Sequence, residues 1–413
     1  MLFLFFLCPY FIEFYGSFIV INGLRGVGKS SVAKQIKLIA SGEDELVKLI
    51  TEKNKKNKQY FNVHLEKFIP NGGFNFLTRY HTCDSSISDV SDLVKRLILG
   101  DDKNPSLFQY TSTGDKRVEK IVETFKAEGS VSLFGAKVGG EGEESTESRS
   151  TLSDNVIHQF KQLLGIIRKD TLSHKGRKDN LNYKGILFII DEFDVLKDKT
   201  GFASLIKTCS DDYVKFMIVG IASTISELIE EHQSINRQIK NIEVRKMTDE
   251  EMWGIIVNAE RFLGKEIEFT DEATELIINK SDGFPYFTHL LGSEALLNAY
   301  ENGSRKIDMR TMEYVFNNIT SGKLNTMYEE AYHKVIKSSK QKEILLKCFA
   351  DEEDDEINVS EIYSVGKELG VTNPSNLTKE LITDNVLSKV RDKYYRFTDP
   401  MFKVYVKMRN WKF

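Results

Sequence analysis

The chain has 413 residues, of which 41% are hydrophobic and 29% are charged, and its formal net charge is −4. This length and composition indicate a soluble globular protein with two or three domains, and the charge excludes a uniformly basic nucleic-acid-binding protein. The four cysteines lie far apart, without a CxxC pair. A disulfide framework and a zinc site are therefore not expected, and we predict a reducing, cytoplasmic location.

The chain opens on an apolar run, MLFLFFLCPYFI, which Glu13 ends. The run is shorter than the roughly 20 apolar residues that span a bilayer. It also lacks the basic n-region and the small-residue cleavage site of a secretory signal. We therefore expect no membrane or export role.

A glycine-rich loop follows the first predicted strand, SFIVIN, and precedes a helix predicted from about Ser30 to Ala40. The loop GLRGVGKS matches the phosphate-binding pattern G-x-x-x-x-G-K-[ST] in its required context of strand and helix. Its glycines let backbone N–H groups approach a nucleotide phosphate. Lys29 is expected to contact the β- and γ-phosphates and Ser30 to ligate Mg²⁺, so ATP and Mg²⁺ are the predicted cofactors. The candidate nucleotide-binding residues of this segment are Gly23, Arg25, Gly26, Val27, Gly28, Lys29, Ser30 and Ser31.

The next segments are weaker in pattern. FNFLTRYHTC is a candidate second core strand, and a capped helix is predicted over SISDVSDLVKRLI. From Gly100 to Thr151 apolar and small residues alternate and then give way to a Gly/Glu/Ser stretch. This pattern predicts a hairpin or flexible loop inserted in the core, and a helix is predicted to follow from Leu152.

A second motif, ILFIIDEFD, is a buried strand that ends in acidic residues. Asp191 is expected to bind the Mg²⁺ ion and Glu192 to activate the attacking water as a general base. An ordinary buried strand with acids at its exposed end is the alternative, but the two motifs together favour the catalytic interpretation. Because the Asp-Glu pair suits hydrolysis and no basic kinase lid is recognisable, the sequence predicts an ATPase.

A polar pair, Ser223 and Thr224, follows the next apolar strand, FMIVGIA. In P-loop ATPases of the additional-strand kind, a polar residue at this place contacts the γ-phosphate or the attacking water. Either side chain could instead cap the helix STISELIEEH. Both residues are retained as candidate catalytic residues.

The remainder of the chain changes in pattern twice. Residues 1–246 are predicted to form an α/β core with a parallel sheet covered on both faces, including the flexible insertion at about 100–151. Residues 247–334 read as an all-helical lid. Residues 335–413 have the order helix, helix, helix, hairpin, which is that of a winged helix.

In chain order, the phosphate loop, IIDEFD, the polar strand end, the lid and the winged helix resemble AAA+ ATPases of the initiator (origin-recognition) type and the related STAND signalling ATPases. The resemblance implies a P-loop NTPase (AAA+-like) sheet, an all-α lid and a C-terminal winged-helix domain. It makes Arg237, in HQSINRQIKNIEV, a candidate arginine finger. A solvated arginine at a helix end, where its charge interacts favourably with the helix dipole, is an equal alternative. The family normally has a strand-helix element before the loop, and its lack here suggests a truncated or mis-assigned start.

The lid segment SDGFPYFTHLLGSEAL resembles the GxP motif of STAND proteins. The resemblance places Pro285 near the adenine, although proline in a first helical turn is also ordinary capping chemistry. Initiators usually carry a sensor arginine nearby, where this chain has Tyr286, Phe287 and His289. That departure favours the switch-like STAND branch and slow turnover.

The C-terminal module has opposing charge features. Between Val386 and Phe413, eight basic residues face only Asp392 and Asp399, whereas the run Asp351–Glu356 is acidic. DNA binding and internal packing of the winged helix both remain open. The eight basic residues are Lys389, Arg391, Lys393, Arg396, Lys403, Lys407, Arg409 and Lys412.

The sequence therefore predicts an ATP-hydrolysing switch that acts on a protein effector or DNA, for example in bacterial antiphage defence, with homo-oligomerisation. A DNA-binding regulator of initiator or transposon-regulator type is one alternative. A non-catalytic scaffold stabilised by nucleotide is the other.

Overall fold

The computed structural model describes residues 18–42, 75–112, 114–127, 146–172, 183–220, 239–323 and 326–409. The chain divides into two compact units. The first comprises Met1–Gly23 and Lys29–Val244, and the second comprises Leu24–Gly28 and Arg245–Phe413. Within the described ranges, no helix has the length and apolar character needed to cross a membrane.

The first unit is built on a parallel five-stranded sheet in the order β2-β3-β4-β1-β5. Its strands are β1 (Phe18–Gly23), β2 (Phe76–Thr82), β3 (Gly185–Asp191), β4 (Val214–Val219) and β5 (Ile239–Val244). Its helices are α1 (Lys29–Ser41), α2 (Val90–Leu99), α3 (Lys116–Ala127), α4 (Thr146–Leu172) and α5 (Phe202–Cys209). Short 3-10 helices span Leu107–Tyr110 and Phe193–Val195.

Both faces of this sheet are buried. Strands β3 and β4 are buried along their whole length, as continuous apolar runs of strand length predict for a covered parallel sheet. On one face, Ile189 and Met217 pack with α1 through Ile36. On the other, Phe188 and Phe216 stack with ring centroids 5.1 Å apart. The predicted α/β class is confirmed.

Part of the stretch predicted to be flexible is helical. Helix α3 lies within it, with Val118 and Ile121 buried, because these apolar residues at helical spacing pack into the core cluster that also contains residues of α4. Helix α4 begins at Thr146, six residues before the predicted start at Leu152. The Gly/Glu-rich segment 128–145, where a hairpin or loop is predicted, lies outside the described residues.

The second unit is mainly helical. Its helices are α6 (Asp249–Phe262), α7 (Asp271–Ser281), α8 (Pro285–Glu301), α9 (Met309–Thr320), α10 (Thr326–Ile336), α11 (Lys340–Asp351), α12 (Val359–Glu368), α13 (Pro374–Thr383) and α14 (Pro400–Arg409). Its strands are β6 (Glu268–Phe269), β7 (Lys306–Ile307), β8 (Ile357–Asn358), β9 (Leu387–Arg391) and β10 (Tyr394–Phe397). The pair β6–β7 is parallel and interrupts a region predicted to be entirely helical.

The C-terminal part of this unit contains a small antiparallel sheet in the order β8-β10-β9. Helices α11, α12 and α13 precede the hairpin β9–β10, in the predicted order of three helices and a hairpin. Lys342 of α11 is buried at 1% exposure and donates to the carboxylates of Glu380 and Asp384 at 3.3 and 2.7 Å. These ion pairs of the buried lysine hold α11 to α13 and to the residue at its C-terminal end.

Candidate active site at the carboxyl edge of the sheet

The glycine-rich loop connects β1 to α1. Gly23, Gly26 and Gly28 all have positive φ angles, of 149°, 82° and 96°, which glycine adopts without the steric cost that other residues meet. The Lys29 ammonium donates to the carbonyl oxygen of Gly23 at 3.0 Å. The lysine therefore folds back across the loop that its helix follows.

The acidic strand end lies in the first unit, as β1 and α1 do. Asp191 is the last residue of β3 and is 4% exposed. Its Oδ2 accepts a hydrogen bond from the Tyr80 hydroxyl at 2.5 Å, and its Oδ1 accepts from the backbone N–H of Glu192 at 2.9 Å. Both carboxylate oxygens are thus oriented by neighbouring donors.

Glu192 is exposed and lies in the left-handed region, at φ 53° and ψ 38°. A non-glycine residue held there costs roughly 1–2 kcal/mol, and such residues cluster at functional sites. The conformation is maintained on its C-terminal side, since Phe193 is fully buried with its ring centroid 4.4 Å from that of Phe202. The anchored phenylalanine directs the preceding carboxylate to the edge of the sheet.

Tyr80 joins the two motifs, although the sequence pattern presented it only as part of a core strand. In the register of β2 with β3, Tyr80 pairs with Ile189. Asp191 follows Ile189 by two residues and therefore lies on the same face of the sheet. Besides donating to Asp191, the Tyr80 hydroxyl interacts with the side chain of Ser30. Burial, and then the hydrogen bond to the Asp191 carboxylate, raise the pKa of Tyr80, so the hydroxyl stays protonated at neutral pH.

These residues have the chemistry of a Mg²⁺ site. Ser30 and Asp191 offer a hydroxyl and a carboxylate, and oxygen ligands are those that Mg²⁺ prefers. Among the described residues there is no cluster of three or more His, Cys, Asp or Glu that would hold a metal alone. Mg²⁺ usually keeps several waters and binds one or two protein groups together with substrate phosphates.

The other predicted site residues have diverse environments. Val27 is buried, whereas Arg25 and Ser31 are exposed. Pro285 is the first residue of α8, and its Cγ lies 3.8 Å from where a Cβ on Gly28 would stand, both residues being in the second unit.

Three further candidates, Ser223, Thr224 and Arg237, lie outside the described residues, and their roles stay predictions.

Solved structures to which the chain is similar include the following three proteins. A Walker-type ATPase of Pyrococcus abyssi has 13% identity and a TM-score of 0.47, with 98% of this chain and 94% of that chain covered. The ORC2 protein of Aeropyrum pernix has 12% identity and a TM-score of 0.40, with 98% of this chain and 92% of that chain covered. A RuvB mutant of Thermotoga maritima has 10% identity and a TM-score of 0.40, with 94% of this chain and 87% of that chain covered. No protein-family model matches the chain, and no curated protein matches it. Likeness at these identities and TM-scores carries no residue roles over to this chain.

The strand order is the more specific feature. Strand β4 lies between β1, which leads into the phosphate loop, and β3, which ends in the acidic pair. A strand inserted at this place defines the additional-strand group of P-loop ATPases, whose motifs the sequence resembles. The first unit therefore has the fold of an AAA+-like P-loop NTPase core.

Proposed function

We propose that the protein binds ATP with Mg²⁺ at the carboxyl edge of the sheet and hydrolyses it. The observation that supports this most is the hydrogen bond from Tyr80 to Asp191, with the Ser30 side chain beside the same tyrosine hydroxyl. It joins the phosphate-binding helix to the acidic strand, two motifs separated by more than 150 residues of sequence. Exposed Glu192 follows directly, where it can reach a water at the same edge.

Each residue has a defined task in this proposal. The loop N–H groups and the N-terminus of α1 bind the phosphates, and Lys29 exchanges its bond to the Gly23 carbonyl for phosphate oxygens. Ser30 and Asp191 hold Mg²⁺, which supplies charge neutralisation at the phosphates. Glu192 orients the attacking water and accepts its proton.

Two substitutions test the hydrolytic proposal. Lys29→Ala is expected to abolish ATP binding, and Glu192→Gln is expected to retain bound ATP without releasing phosphate. Lys34→Ala, at an exposed lysine of the same helix, and Asp194→Asn, at an exposed acid two residues further on, are matched controls. Unchanged turnover in both site variants would refute the proposal, whereas a melting shift with ATP but no phosphate release in the native protein would favour the scaffold alternative.

The finer part of the proposal is a slow molecular switch that acts on a protein effector or on further copies of the chain, as in a bacterial defence system. Its support is the family resemblance, in which Tyr286, Phe287 and His289 replace an activating arginine. We expect a different molar mass or effector affinity in ATP than in ADP, measured by light scattering on the Glu192→Gln variant. Identical behaviour in both nucleotides would refute switching while leaving hydrolysis intact.

A second candidate function is DNA binding by the hairpin β9–β10, which we propose to act as the wing of a winged helix. Four of its basic residues are exposed. The four are Lys389, Arg391, Lys393 and Arg396. Lys403, by contrast, is 5% exposed, and Arg409 pairs with Glu329, so these two belong to the interior of the unit.

The acidic run opposes part of this charge, because the Glu356 carboxylate pairs with Arg391 of the hairpin at 3.3 Å. The Asp355 carboxylate, in contrast, pairs with Lys246 at 3.4 Å. Lys389→Glu with Lys393→Glu should abolish salt-dependent binding to duplex DNA, while Lys265→Glu, at another exposed lysine, should not. No binding of the native protein at low salt would exclude this function.

A further inference from the structure

We propose that Tyr80 is a positioning residue of the Mg²⁺ site, which orients Ser30 and Asp191 for the cation through its one hydroxyl. The inference rests on the proposed function, because it concerns the same ATP site. Nothing in the local sequence pattern assigns this role, and the hydrogen bond to Asp191 joins residues 111 positions apart.

The single proton of the Tyr80 hydroxyl is what gives the residue this role. That proton is donated to Asp191, so the neighbouring Ser30 side chain can bond the Tyr80 oxygen only as a donor, which leaves the lone pairs of the serine hydroxyl available to a cation. Tyr80 in turn donates to Oδ2 of Asp191 at 2.5 Å, while Oδ1 is held by the Glu192 N–H. Ordered outer groups of this kind fix the geometry of metal ligands, and their loss typically lowers metal affinity about 10–100-fold.

Tyr80 itself is held by an unusual edge contact. Strand β2 lies at one edge of the described sheet, where backbone groups otherwise face no partner strand. The Asn104 carboxamide takes the place of such a strand: its oxygen accepts from the Tyr80 N–H at 3.3 Å, and its nitrogen donates to the Tyr80 carbonyl at 2.9 Å. Asn104 is 8% exposed and also donates to Asp101 at 2.8 Å.

The ring and the hydroxyl of Tyr80 are separable. The ring is partly buried against the apolar cluster that α1 forms with the sheet. Phenylalanine keeps that ring and removes only the oxygen that touches Ser30 and Asp191. Tyr80→Phe is therefore a specific test, and Tyr213→Phe, at a buried ring elsewhere in the first unit, is the matched control.

The experiment measures binding of a fluorescent, non-hydrolysable ATP analogue while Mg²⁺ is titrated from EDTA conditions into excess. We expect Tyr80→Phe to bind the analogue in EDTA within about twofold of the native protein. We expect it to need about 10–100-fold more Mg²⁺ to reach the tight-binding state, while Tyr213→Phe behaves as the native protein does. Mn²⁺ binding to the analogue complex, followed by electron paramagnetic resonance, should weaken in parallel.

The outcomes separate the inference from the proposed function. A native protein that does not bind the analogue overturns the proposed function, and the inference with it. Native binding with an unchanged Mg²⁺ midpoint in Tyr80→Phe overturns the inference alone, as does an equal loss of affinity with and without Mg²⁺. If Tyr80→Phe does not fold, Asn104→Ala replaces it, since it leaves the hydroxyl in place: a raised Mg²⁺ midpoint supports the inference and an unchanged one overturns it.

Discussion

Because the backbone of Glu192 is left-handed, we predict that glycine at this position stabilises the protein relative to alanine. Glycine usually has the opposite effect. Glu192 has φ 53° and ψ 38°, a conformation that costs an L-residue roughly 1–2 kcal/mol relative to right-handed structure. Glycine is free of this cost, but it loses about 0.4–1 kcal/mol through the greater freedom of the unfolded chain. Glu192→Gly should therefore be about 0.8 kcal/mol more stable than Glu192→Ala, which keeps the strain.

A matched pair at Asp194 should give the opposite sign. Asp194 is exposed like Glu192 but does not have a positive φ. Glycine there only adds unfolded-state freedom, so Asp194→Gly should be about 0.5–1 kcal/mol less stable than Asp194→Ala. The reversal of sign across two positions is specific to the left-handed backbone, because both side chains are truncated in the same way.

The assay must report on the first unit. Trp253 belongs to the second unit and Trp411 lies outside the described residues, so tryptophan fluorescence does not specifically follow the unfolding of the sheet. Hydrogen exchange of the β3 amides does, and it gives the opening free energy directly. Equal stability of Glu192→Gly and Glu192→Ala would refute the left-handed assignment, and with it the argument that the backbone directs this carboxylate.

Two further predictions concern other contacts. Gly100→Ala should cost more than about 2 kcal/mol, because φ 82° and ψ −168° suit glycine only and the new Cβ would collide with the Asn104 backbone carbonyl. Gly114→Ala, at φ 80° with no atom of the described residues within 4 Å of the new Cβ, should cost about 1 kcal/mol in the same exchange measurement. The hydrogen bond from Lys342 lowers the pKa of Asp384 in the folded protein. The ionised Asp384 carboxylate therefore stabilises the fold above the ordinary carboxyl pKa of about 3.9, and this stabilisation is lost as the pH falls through the lower pKa of the folded state. Asp384→Asn should therefore lower the melting temperature at pH 7 but not at about pH 2, and an equal loss at both would contradict this.

The parts of the site that follow one another in the chain were predictable. The phosphate loop is a contiguous pattern, and the predicted helix from Ser30 to Ala40 corresponds to α1, Lys29–Ser41. The acidic motif is likewise local, and Asp191 ends β3 as predicted. Such patterns are visible because phosphate binding and strand burial impose residue types at fixed spacing.

The contacts that join distant segments were not predictable. Tyr80 meets Asp191 only because β2 and β3 pair in a particular register, and apolar periodicity does not encode the register between parallel strands. Helix α3 was missed for a different reason. Its Val118, Ile121 and Val122 do have helical spacing, but the glycine- and glutamate-rich sequence that follows directed the interpretation toward a loop.

The edge contact and the proposed metal site both involve Tyr80, and this has a measurable consequence. Asn104 binds the Tyr80 backbone, whereas Ser30 and Asp191 meet the Tyr80 hydroxyl. Asn104→Ala should therefore weaken Mg²⁺ binding only through the position of that hydroxyl, and it should have no further effect on Mg²⁺ affinity in a Tyr80→Phe background. In a double-mutant cycle the two effects must then be strongly non-additive. Additive effects would mean that Asn104 acts on the ATP site by a route other than Tyr80, since no hydroxyl would remain for it to place.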